Sequence, residues 1–436
     1  MFSASSVSNL LTRITSARRA ALYFVFVLLS TYTVVPMLIA LVSGSADHFI
    51  ELSVVSAVAA LFVYLGSLVT LFDRVFSGKA PRIVVDPYSF IAVAWFAFVA
   101  FVLVAWFTAE RIPLLASLSG ADPDTIAYLR ERFLKDREGW QSSFVYINAV
   151  LAGALIPYSL ALMFLHSTKH RWLAFVFFLI YCISFVEKAF FLKAVLPLLY
   201  LVAQRRIRIP LSPAKLALAM VGMLLTVTLF SGAGAADEAS GEAFFSAAYL
   251  PQGPLSHLLW RSVAIPLVTA ADAIRVLNDE FGGRVLWGAT SSFLAAVLGQ
   301  QRIEFERLVF AAQWGQNETG TGSSNSVYIT EAFVNFGWIG VVLFSLFVGL
   351  VLRMFARSRD EAFRSLWMLF FLGVYTAGVV GLMLSNGFAL LFALNLFVRF
   401  KWRRSAKSRS TASPRREHQA NLVRGTVSFT PTNPHH

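Results

Sequence analysis

The chain has 436 residues, of which 57% are hydrophobic and only 14% charged, and its mean hydropathy is +0.66. Soluble globular proteins carry about a quarter of their residues as charges, so this composition excludes a soluble enzyme and indicates a polytopic membrane protein. The formal net charge of +13 requires no nucleic-acid partner, because cationic loop ends facing anionic lipid account for most of it.

Residues 1–19 are polar and basic without a small-residue cleavage site, and the apolar run after them is too long for a signal peptide. They read as a cytoplasmic N-terminus. Apolar runs of about 20 residues, enough for a helix to cross a bilayer, then predict ten spans. These are 20–42, 49–72, 88–108, 143–165, 171–187, 189–204, 213–232, 326–352, 363–384 and 386–400. With the N-terminus inside, every short inner connection is basic, including Arg74, Lys79 and Arg82, then Arg205, Arg206 and Arg208. That is the positive-inside pattern. Seven spans (20–232) enclose an outer loop at 109–142. A large outer loop follows at 233–325, then three spans (326–400). A basic tail rich in Ser, Thr and Pro (401–436) is expected to be disordered in the cytoplasm.

Polar residues along this frame are the candidates for chemistry. Asp47, His48 and Glu51 in the first outer turn form a small acidic group, without the second acidic motif a metal site needs. In 109–142 the sequence DPDTIAYLRERFLKDREGW predicts a charged interfacial helix starting at Asp122-Pro123. Cys182, the single cysteine, reads as a small buried hydrophobe. Glu187 and Lys188 mark an outward tip with Lys193 just beyond; they either pair locally to let the hairpin turn or face the large loop's cavity.

The large loop is too apolar for a free domain, and 255–277, 291–299 and 305–314 read as helices lying in the interface. Pro266 is expected to kink or end the first of these. His257 and Arg261 are spaced i,i+4, and Arg275, Arg284, Arg302 and Arg307 add cations in an oily context. Arginines of this kind either snorkel to headgroups or bind phosphate through the bidentate guanidinium fork. The glycine-rich stretch from Gly315 to Asn325 lacks the preceding strand of a nucleotide loop. It is either a plain connecting loop or an anion-favouring approach to the next helix N-terminus. That helix carries Glu331 where it enters lipid, a costly position and hence a functional-site candidate. Tyr328, Glu331 and Asn335 fall at i, i+3 and i+7, on one helix face.

A large arginine-bearing outer loop, a glycine-rich segment and then SVYITEAFVNFGWIG resemble the O-antigen polymerases, the Wzy-type oligosaccharide repeat-unit polymerases. Glu331 ahead of Asn335-Phe336-Gly337-Trp338-Ile339-Gly340 is similar to the acidic residue that precedes the family's Asn-Phe-Gly-x-x-Gly step. EKAFFLKAVLPLLYL, with Lys188 and Lys193, looks like its lysine-bearing middle helix, and Arg261 before Pro266 like a basic position early in its large loop. The resemblance implies an all-α membrane-embedded glycosyltransferase of the C type, with about ten spans and one large periplasmic loop. It would sit in a bacterial inner membrane with both termini cytoplasmic, joining polyprenyl-diphosphate-linked repeat units for O-antigen or exopolysaccharide. On this reading Glu331, Arg261 and His257 are the catalytic candidates. Arg284, Arg302, Arg307, Lys188, Lys193, Asn325, Tyr328 and Asn335 are the substrate-binding ones.

No metal cluster or cofactor motif is visible, so transfer is expected to need neither. Expected partners are the lipid-linked oligosaccharide and membrane lipids, with a chain-length regulator and a flippase as further candidates. The alternatives are an O-antigen ligase, which the His257–Arg261 pair fits, and a lipid-linked oligosaccharide transporter or flippase, against which the absence of internal repeats counts.

Overall fold

In the computed structural model the described residues are 10–43, 47–76, 82–134, 137–186, 190–209, 212–230, 243–315, 324 and 327–401. Among them five helices are long and apolar enough to cross a membrane: Ala17–Val42, Asp47–Leu68, Pro87–Phe107, Gly139–Leu165 and Tyr328–Arg357. They coincide with five of the ten predicted spans. The runs at 171–187, 189–204, 213–232 and 386–400 give shorter apolar helices, Arg171–Ser184, Leu192–Ala203, Pro213–Thr226 and Phe388–Phe397. The predicted span 363–384 is not one helix. It divides into Glu361–Ser365, Trp367–Thr376 and Val379–Leu384.

Three helices accommodate a proline by widening. Pro36, Pro157 and Pro266 each lie two residues beyond a π turn, at Leu28–Val34, Leu151–Leu155 and Trp260–Ala264 respectively. A proline ring clashes with the carbonyl four residues back and lacks an N–H to donate; a π turn changes the pairing just where that conflict falls. Pro266 therefore does not end its helix, which runs on as Ile265–Phe281 to a left-handed Gly282. The other loop helices, Ser292–Leu298 and Phe305–Trp314, fall close to the predicted 291–299 and 305–314. Pro123–Leu134 forms where the charged helix was expected, its start held by Asp122, which accepts from the Thr125 backbone N–H at 2.9 Å.

The centre of the bundle is the pair Asp47–Leu68 and Tyr328–Arg357. They meet at Gly66 and Gly349, where an added Cβ would collide with the Leu346 or Val63 carbonyl of the other helix. Small residues let membrane helices approach this closely and gain dispersion along their length. The described residues are mostly helical, with one departure from the predicted class. Strands β1 (Ile83–Val85) and β2 (Val398–Phe400) pair in parallel, Ile83 opposite Val398, and so end the last helix at Phe397 rather than at residue 400. Cys182 is fully buried.

Candidate active site

The helix Tyr328–Arg357 leaves its regular path at Gly337, which adopts φ 58° and ψ −146°. Glycine enters that region without steric cost; other residues do not. A break in a membrane helix strands backbone carbonyls, which must find partners in protein. Here the carbonyls of Val334 and Asn335 accept from the N–H groups of Leu286 and Trp287, at 2.9 and 2.8 Å. The Asn335 side chain closes the same joint. Its amide donates to Thr290 Oγ1 at 2.7 Å and to the Glu331 carbonyl at 2.8 Å, while Oδ1 accepts from the Thr290 backbone N–H at 3.3 Å. The Asn-Phe-Gly step is thus a clamp that seats residues 286–290 of the large loop on the broken helix.

Asn335 is fully buried, so its removal leaves donors and acceptors unmet. Asn335→Ala is expected to lower stability by about 1–3 kcal/mol. In hydrogen exchange, protection should be lost first at 286–290.

A second break faces the first. Trp367–Thr376 ends at Ala377, in extended conformation, and Gly378 caps Val379–Leu384. Glu331 reaches across to this point, where its Oε2 accepts from the Val380 backbone N–H at 3.3 Å. A Cβ at Gly378 would stand 2.5 Å from the Glu331 carboxyl carbon. Only a glycine leaves the carboxylate room.

Between the two breaks and the loop helices lies a cavity of ≈ 620 Å³. Glu331, Arg302, Glu306, Ser291, Ser324 and Asn386 are among its polar lining, with Phe293, Phe305, Leu382 and Leu384 among its apolar walls. Burial pushes the Glu306 carboxyl above the usual carboxylate range, against the pull of its own backbone N–H and of Arg302. The Glu306 carbonyl accepts from the Ser324 N–H at 3.0 Å, and Ser324 Oγ donates to Gln313 at 2.8 Å. The end of the glycine-rich segment is thereby fastened to the cavity rim. Such a site offers a carboxylate aimed by a backbone amide, an exposed guanidinium, and hydroxyl and amide groups suited to sugar.

The predicted site residues separate clearly. Glu331 and Arg302 share the cavity. Tyr328 and Asn335 do not line it. Tyr328 is fully buried with its hydroxyl 2.9 Å from Ser345 Oγ, and Asn335 is held in the joint described above. Periodicity places both near Glu331, and the structure shows their polar groups bonded within the protein. His257 is buried with its ring 5.8 Å from Trp260, and the Arg261 guanidinium lies 5.8 Å over that same indole; neither lines the cavity. Arg284 is exposed just beyond the turn at Gly282 and Gly283. Arg307 is exposed and paired with Glu304 at 2.9 Å. Lys193 sits 3.8 Å over the Phe190 ring. Lys188 and Asn325 lie outside the described residues, as does Glu187. Glu51 accepts from Asn278 Nδ2 at 3.0 Å.

Glu306 and Asn386 are additions that sequence reasoning does not reach. Ser385-Asn386-Gly387 reads in sequence as a turn between two spans, a signal that marks a break but not which cavity it lines. Glu304 and Glu306 both read as salt-bridge partners of Arg307, and Glu304 takes that role.

The structure thus combines membrane-length helices with a polar cavity that holds a carboxylate and a cation and is walled by two interrupted helices. Residues 311–377 match the family described as O-antigen polysaccharide polymerase Wzy. The matched segment contains Glu331, the Gly337 break and the start of the second break at Ala377. The match supports the resemblance to Wzy-type polymerases over this segment. No curated relative and no solved structure matches the chain.

Proposed function

We propose that the cavity joins polyprenyl-diphosphate-linked oligosaccharide repeat units by glycosyl transfer, without a metal, at the periplasmic face of a bacterial inner membrane, with both termini in the cytoplasm. The observation carrying this reading is that Glu331 and Arg302 line one cavity, with Glu331 inside the segment matched to the polymerase family. In the reaction, an acceptor sugar hydroxyl attacks the anomeric carbon of the donor. The bond from that carbon to the diphosphate oxygen breaks, and polyprenyl diphosphate departs. Glu331 takes the hydroxyl proton or fixes the hydroxyl for attack, and the Val380 amide keeps its carboxylate in place. Arg302 meets the charge that grows on the leaving diphosphate, the kind of preorganised stabilisation that usually supplies most of a rate enhancement. Glu306, Asn386 and the serines orient the sugars.

A polymerase is preferred to a ligase because the family match is to a polymerase. Glycans from a deletion strain distinguish the two. Lipid-linked single repeats without a ladder support polymerisation. A full ladder stranded on the lipid carrier means ligation, and intermediates held on the cytoplasmic side mean transport.

A further inference from the structure

The far end of the Tyr328–Arg357 helix holds a second pocket, of ≈ 880 Å³, well away from the cavity around Glu331. From Glu331 to Arg353 the helix advances by 22 residues, about 33 Å at 1.5 Å per residue, so the two pockets lie toward opposite ends of it. Six arginines line this pocket: Arg18, Arg206, Arg353, Arg357, Arg359 and Arg364. They come from three separate stretches of chain, at Arg18, Arg206 and 353–364, so the fold gathers them.

Two carboxylates answer these six cations. Asp73 accepts from Arg353 through Nε and Nη2, both at 2.6 Å, and lies 3.6 Å from Arg357. Glu361 pairs with Arg206 at 2.9 Å and Arg364 at 2.7 Å. Arg18 and Arg359 make no ion pair among the described residues. Arg364 is only 8% exposed, yet its Nε has no acceptor. A buried guanidinium donor left unmet, inside a cluster with four more positive charges than negative, calls for an anion. The other wall is apolar and faces outward: Leu22, Tyr64 and Leu68 line the pocket and are 56%, 41% and 51% exposed. An acyl chain can lie on that wall while its headgroup meets the arginines, the arrangement of basic headgroup pockets between membrane helices.

We propose that this pocket is a binding site for a phosphate group, carried by an anionic phospholipid or by a soluble phosphate, at the end of the helix opposite the cavity. Guanidinium forks match phosphate oxygens two at a time, and Arg18 and Arg359 are the cations left over for it. The site stands independently of the polymerase reading, since none of its residues lines the Glu331 cavity.

The test uses the full chain in nanodiscs. Phosphatidylglycerol titrated into phosphatidylcholine discs should raise the thermal midpoint saturably. The double variant Arg18→Gln/Arg359→Gln should weaken the apparent affinity about 30-fold, two cations at roughly tenfold or less each. Arg13→Gln/Arg19→Gln removes the same charge nearby, outside the pocket lining, and should leave the affinity within about twofold if the attraction is local rather than general. The same saturable stabilisation by pyrophosphate in pure phosphatidylcholine discs would identify a soluble phosphate as the occupant. Equal weakening in both double variants, or no response to either ligand, overturns the site.

Discussion

Glu331→Gln abolishes polymer formation while leaving the protein in the membrane at its normal amount. Gln keeps the length and shape of the side chain, and its carbonyl oxygen still accepts from the Val380 N–H that lies 3.3 Å from Glu331 Oε2. What it loses is the charge and the ability to take a proton. If Glu331 accepts the proton of the attacking hydroxyl, the rate falls by about 10² to 10⁴. If it only fixes that hydroxyl, the loss is at the lower end, because an uncharged amide still holds it. The ladder of surface glycans, quantified per molecule of membrane-inserted protein, reports the effect. Normal ladder length and yield would remove Glu331 from the chemistry.

Gly378→Ala separates position from stability. Gly378 has φ −67° and ψ 147°, a conformation alanine adopts freely, so the backbone has no reason to move. The new methyl meets the Glu331 carboxyl group, 2.5 Å away. That group is the tip of a flexible side chain and can swing aside. The protein should therefore fold with a thermal midpoint close to wild type while its carboxylate leaves the Val380 amide. Displacement of a reacting group by about 1 Å costs on the order of 10²-fold, so activity should fall nearly as far as in Glu331→Gln. In the double variant Gly378→Ala/Glu331→Gln the two losses should not multiply, because both act on one group. Multiplicative losses would mean that Gly378 acts through something else.

The membrane class and the longest spans are legible in the sequence because an apolar run of bilayer length is stable almost nowhere but in lipid. The loop helices are legible for a similar reason: 291–299 and 305–314 are too apolar to stay in water and too short to cross. Neither break is legible. Gly337 lies in an apolar run where glycine is common in membrane helices, and only the bonds that the adjoining Val334 and Asn335 make to Leu286, Trp287 and Thr290, 45 to 48 residues earlier, turn this stretch into a joint. The run 363–384 shows no proline, so nothing local announces the stop at Ala377.

The site is legible in its carboxylate and in one of its arginines. A carboxylate entering lipid is costly wherever it points, so Glu331 stands out without knowledge of the fold. Arginines in an interfacial loop are inexpensive, and composition does not tell Arg302, which lines the cavity, from Arg307, which pairs with Glu304. Helical spacing places Tyr328, Glu331 and Asn335 together, but spacing says nothing about which neighbour each meets. Two of the three are bonded within the core.

The most direct test of the account is elongation by the purified protein in phosphatidylcholine vesicles, given polyprenyl-diphosphate-linked single repeats and a metal chelator. The expected result is a ladder of longer lipid-linked glycans, one polyprenyl diphosphate released per bond formed, and no ladder from Glu331→Gln. A wild-type protein that leaves single repeats unjoined unless a divalent metal is supplied would contradict it, and so would a Glu331→Gln protein that builds the same ladder.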